Sequence, residues 1–178
     1  MPPARLVALA ARIDRLTAAV GRTVMWCLLA MVLVEVAAVL LRYVFGLGSI
    51  WLSEAILYAH ATLFMTAAAW TLQQGGHVRV DIFYADASPG VRAVVDLGGA
   101  LLLLLPFVAT LAWFSLPYVA RSWAILERSR EASGLPLVFL LKTLIPAFAL
   151  LLGLQGVAQA IHAWRVLAAA RSCREPGG

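Results

Sequence analysis

Glu35 and His60 stand in the middle of long apolar runs. An ionisable side chain at the centre of a membrane helix costs about 2.5–3.5 kcal/mol on insertion scales, so each needs a partner or a task. Glu35 lies ten residues before Phe45, and His60 lies ten residues after Ile50. On consecutive antiparallel helices both would be roughly 15 Å deep. That placement suits a proton relay, or a hydrogen-bonded glutamic acid tying two helices together. Arg42 and Glu54 match in the same way, three residues before Phe45 and four after Ile50. They predict a structural ion pair near one interface, with Trp51 beside it. No P-loop, GxSxG, HExxH, CxxC pair or dinucleotide fingerprint occurs. A membrane haem would need two histidines on facing helices, but His60 is mid-run and His162 is near the end of its own run. His77 falls in a connection. Nothing in the chain reads as catalytic or metal-binding, and no cofactor is expected.

The elements that must position these residues follow from composition. Of 178 residues, 63% are hydrophobic and 13% charged, and the mean hydropathy is +0.91. A soluble domain carries about 25% charged residues. The composition therefore argues for lipid as the solvent, and against a water-soluble enzyme or a nucleic-acid binder, despite a net charge of +5. Four runs are long enough to cross a bilayer, about 23–45, 50–72, 89–118 and 136–164. None alternates with period two, so a β-barrel is excluded. The expectation is an all-α, four-helix integral membrane protein forming one domain over 1–178.

The ends of the runs carry signals. Ser88 and Pro89 read as an N-cap and first helical position, and Gly134 as a helix stop before Pro136 opens the fourth run. Pro106, Pro117 and Pro146 fall inside runs and predict bends. Residues 1–22 place Leu6, Leu9, Ile13, Leu16 and Val20 within roughly 80° of arc, flanked by Arg5 and Arg12. They predict an amphipathic helix lying on the inner leaflet or packed on a partner protein. Small residues four apart on the fourth run, Ala149 with Gly153 and Gly156 with Ala160, suggest a close-contact surface. With the N-terminus inside, nine Lys/Arg fall on the cytoplasmic side against five outside. That bias predicts both termini in the cytoplasm. The tail 175–178 is expected to fray.

Particular strings narrow the class. Arg42-Tyr43-Val44-Phe45 followed by Trp51-Leu52-Ser53-Glu54 resembles the R-Y-x-F, then W-x-x-E, pattern of the small membrane subunit of tripartite ATP-independent periplasmic (TRAP) transporters, the DctQ-like component. Gly76-His77-Val78-Arg79-Val80-Asp81 is similar to that family's G-x-H-V/I-x-V-D stretch. Ser133-Gly134-Leu135-Pro136, then Ile145-Pro146 and Gln155, resembles its G-[IL]-P and I-P elements. The resemblance covers nearly the whole chain. It implies a small permease subunit of the bacterial inner membrane, partnered by a large multi-span subunit and a periplasmic substrate-binding protein. Sodium and organic-acid sites would lie in the large subunit, with this one as a scaffold. Glu35, Arg42, Trp51, Glu54, His60, His77 and Asp81 are then structural or subunit-packing candidates. The Gly75–Asp81 segment reads as a turn or a cytoplasmic contact for the large subunit. A stand-alone proton-coupled exporter using Glu35 and a membrane anchor for a redox complex are the competing classes.

Overall fold

The computed structural model describes residues 3–77 and 87–172. Asp81, Arg79, Cys173 and the tail 175–178 lie outside the described residues. Four helices are long and apolar enough to cross a membrane. They are α1 (Ala4–Phe45), α2 (Ile50–Gln73), α3 (Pro89–Ala124) and α4 (Val138–Ser172). Each runs antiparallel to its neighbour in sequence. Gly46, in the left-handed region, ends α1, and Ser49 then caps α2 by accepting from the Leu52 N–H. Ser88 caps α3 through the Val91 N–H, with Pro89 in the first turn.

Inside α3 the residues Gly99–Leu104 form a π-helical turn. Pro106 explains its position: proline has no N–H to donate and its ring crowds the carbonyl four residues back. Widening the helix just before the proline relieves that crowding, a recurrent use of the π-bulge. Helix α3 ends at Ala124, and its stop is built on Leu126 rather than on Gly134. Leu126 takes φ 45°, its N–H reaches Trp123 O, and the Glu127 N–H reaches Ser122 O. These are the paired bonds of a Schellman stop, formed here on a leucine.

Helix α4 is the hub, packing on α1, α2 and α3, while α3 joins the bundle mainly through α4. Small side chains make this possible. Ala149, Ala158, Ala160 and Ala163 are buried on α4. A Cβ at Gly153 would stand 3.2 Å from Val108 Cγ2, and one at Gly156 would stand 2.8 Å from Leu104 Cδ2. The small residues suggested by sequence as a contact surface thus serve the α3–α4 seam of this chain itself.

The separate helix expected over 1–22 is not formed: α1 is unbroken for 42 residues, about 63 Å of helix against about 30 Å of hydrocarbon. Its N-terminal half runs beside the C-terminal half of α4, where Ala10 and Ile13 meet Ala158 and Ile161 over Leu6, Leu154 and Val157. The buried face runs through Ala10, Ile13, Thr17, Gly21 and Val24, whereas Leu9 and Leu16 of the expected stripe are exposed. The face was chosen by close approach rather than by apolar bulk.

Gly21 shows this most clearly. A Cβ there would fall 2.5 Å from Trp70 Cδ2, because the indole of α2 lies flush on α1 at this point. Gly21→Val is expected to push Trp70 away and to lower stability by about 1–3 kcal/mol, the usual cost of overpacking. Thermal unfolding in detergent measures it, and the same substitution in a Trp70→Gly background, which also removes the Trp70 Cβ that would stand 2.7 Å away, should cost much less.

Candidate functional site

The polar side chains gather at the two ends of the bundle and in one groove between α1 and α2. At the end holding the α1–α2 and α3–α4 connections, Glu54 is the central group. One carboxylate oxygen, Oε1, accepts from the Ser129 hydroxyl, and Oε2 accepts from the Leu135 N–H at 2.5 Å. Gly134 lies against them, since a Cβ there would overlap Ser129 and stand 2.8 Å from Glu54 Oε1. The Trp51–Glu54 string and the Ser133–Pro136 string are therefore one joint, in which a carboxylate on α2 holds the connection between α3 and α4.

The Arg42–Glu54 ion pair expected from sequence is not formed. Both Glu54 oxygens are taken by the α3–α4 connection, while Arg42 turns outward into the groove. Trp51 is half-exposed in the first turn of α2, and His77 is exposed just beyond its end.

A second joint at the same end closes α3 on α4. Lys142 Nζ contacts Glu127 Oε2 at 2.5 Å, the Ser122 hydroxyl donates to the same oxygen at 2.6 Å, and the ammonium stands 4.2 Å over the Tyr118 ring. Trp123 Nε1 donates to Thr143 Oγ1 at 2.8 Å. The Lys142 ammonium and the Ser122 hydroxyl hold the Glu127 carboxyl below the ordinary glutamate range. Lys142 is thus held as an ion-pair partner.

The opposite end is organised by Asp14. Its carboxylate receives Gln155 Nε2 at 3.0 Å and meets His162 Nε2 at 2.8 Å, and its backbone carbonyl receives Gln73 Nε2 at 2.9 Å. One residue of α1 thus ties α2 and α4. Sequence reasoning passed over it, though a signal was present. Asp14 and Glu35 are the only acids in α1, and Asp14 follows buried Ile13. Gln155, part of the string that resembles the family's fourth-run elements, is an interhelical donor.

Glu35 and His60 behave differently. Among the described residues neither makes a hydrogen bond or ion pair, and both are exposed. The expected tie between them is absent because depth was matched but direction was not. Residues Met31, Val34, Ala38 and Leu41 form the more covered face of α1, and Glu35 lies just off it. On α2, Ser53, Leu57, His60 and Phe64 share the outward face, with His60 stacked on Phe64. Glu35 and Arg42 line a groove of about 340 Å³ that continues across Ser49, Leu52, Ser53 and Ile56.

This is a polytopic helical membrane protein in which Asp14, Glu54 and the Lys142–Glu127 pair join its elements. The chain matches the family model described as tripartite ATP-independent periplasmic transporters, DctQ component, over residues 31–166. It belongs to that family, and is the small permease subunit of a TRAP transporter. No curated protein and no solved structure matched it.

Two outcomes test the joints. Glu54→Ala should free the α3–α4 connection and cost about 2–3 kcal/mol, since hydrogen bonds to a charged group are the stronger kind. Gly134→Val should reproduce that loss, and limited proteolysis within 125–137 reads both. For Glu127 the folded pKa is depressed, so its contribution is complete above the ordinary glutamate range and is lost as pH falls through the lowered value. Thermal unfolding followed downward from pH 7 should show an acid-dependent loss that is smaller in Glu127→Gln.

Proposed function

We propose that this subunit is a non-catalytic scaffold, a braced four-helix body against which a large multi-span subunit works. The observation that carries this is the cross-bracing at both ends. Asp14 fastens α1 to α2 and α4, Glu54 fastens α2 to the α3–α4 connection, and Lys142 with Glu127 fastens α4 to α3. Ties of that kind resist the sliding of one helix past another that alternating access requires, and suit a body that stays fixed. In this reading the large subunit carries the substrate and sodium sites, a periplasmic binding protein delivers an organic acid, and this chain holds no cofactor. In this reading the Asp14 end faces the cytoplasm and the Glu54 end the periplasm, an orientation supported by the bias of nine Lys/Arg to five.

Reconstitution tests it. Liposomes holding both membrane subunits, with the binding protein and an inward sodium gradient, should accumulate organic acid, and liposomes holding this chain alone should not. Transport by this chain alone, abolished by Glu35→Gln, would replace the scaffold with a stand-alone exporter.

A further inference from the structure

Glu35 is an exposed carboxylic acid about 15 Å from the end of a membrane-crossing helix, a place where lipid is a poor partner for it. Its neighbours give the reason. Glu35 and Arg42 are seven residues apart on one face of α1 and line the same groove. Ser53 lies opposite them on α2. The polar lining runs from Ser49 and Arg42 at the mouth to Glu35 at the deep end. Flanking it, Val36, Val39 and Tyr43 are exposed, Tyr43 by 81%.

Another large groove among the described residues is of a different kind. It measures about 780 Å³ between α3 and α4 and is lined by Leu105, Val108, Ala112, Pro146, Leu150 and other residues that are apolar apart from Thr143. Acyl chains satisfy such a surface without help. They cannot satisfy a carboxylate and a guanidinium.

We propose that the α1–α2 groove is the face on which a membrane helix of the large subunit lies, and that this helix places a hydrogen-bond-donating side chain beside Glu35. This rests on the reading of the chain as the small subunit of a two-part permease. Charge complementarity selects the occupant. Glu35 and Arg42 are about 10 Å apart along the helix axis, so a helix lying in the groove meets both if it carries a donor, cationic or amide, deep in the membrane and an acceptor two turns outward. Such a partner turns two lipid-exposed charges into charge-assisted hydrogen bonds, the strong kind in a medium of low dielectric. The same pairing fixes the depth and rotation of one subunit against the other.

The test uses the complete complex in membranes, with Cys27→Ser and Cys173→Ser as background. A benzophenone attached at Val39→Cys or Ser53→Cys should photo-crosslink to the large subunit at least tenfold more than one at Leu102→Cys or Leu103→Cys on α3. Glu35→Lys should lower the co-purified large subunit at least tenfold while this chain stays in the membrane at its normal level, and Glu35→Gln should retain most of it. Cross-links mainly from α3, dimers of this chain from positions 39 and 53, or co-purification indifferent to Glu35→Lys would each overturn the proposal, with the small-subunit reading intact. Failure of the unaltered chain to co-purify with the large subunit would overturn both.

Discussion

Helices in hydrocarbon gain nothing from hiding apolar side chains, because the lipid is as apolar as they are. What remains is close packing and the pairing of polar groups that lipid cannot satisfy. This chain uses both, and each in its own place. The packing is concentrated along α4, where alanines and glycines let α1, α2 and α3 approach one hub. The pairing is concentrated at the ends, where Asp14, Glu54 and Glu127 each bind a neighbouring element. Little is left to hold the outer half of α1, and its apolar side chains, from Met25 to Phe45, are largely exposed.

The division explains why some features were legible in the sequence and others were not. Run length and composition determine that there are four helices, and Ser88 with Pro89 marks the start of one of them. Depth is also legible, since it needs only a count of residues from a helix end. Rotation is not. Arg42 and Glu54 are at equal depth, yet Glu54 turns to the α3–α4 connection and Arg42 to the α1–α2 groove, because the contact that sets the rotation of α2 lies in another part of the chain. The same difficulty separates Glu35 from His60.

The buried face of α1 was missed for a related reason. Alanine, threonine and glycine at positions 10, 17 and 21 weigh little in a hydrophobic pattern, although they are where the helices come closest. Asp14 was missed because its partners, Gln73, Gln155 and His162, lie far along the chain on α2 and α4. The end of α3 was misplaced because its stop is built on Leu126, a residue type that rarely adopts φ 45°. Two of the strings that resemble the DctQ family, Trp51–Glu54 and Ser133–Pro136, meet in space, where the Glu54 carboxylate accepts from the Leu135 N–H and Gly134 leaves room for it.

The proposed scaffold role therefore depends on the end joints holding while a neighbouring subunit moves. Spin labels at Leu33→Cys on α1 and Leu103→Cys on α3, both exposed, would report the separation across the bundle in the complete transporter. The measurement is the distance distribution with and without sodium, substrate and binding protein. A braced body gives one distribution that is the same under every condition. A second population several ångströms away, appearing with substrate, would show that the four helices themselves move during transport, and would contradict the account.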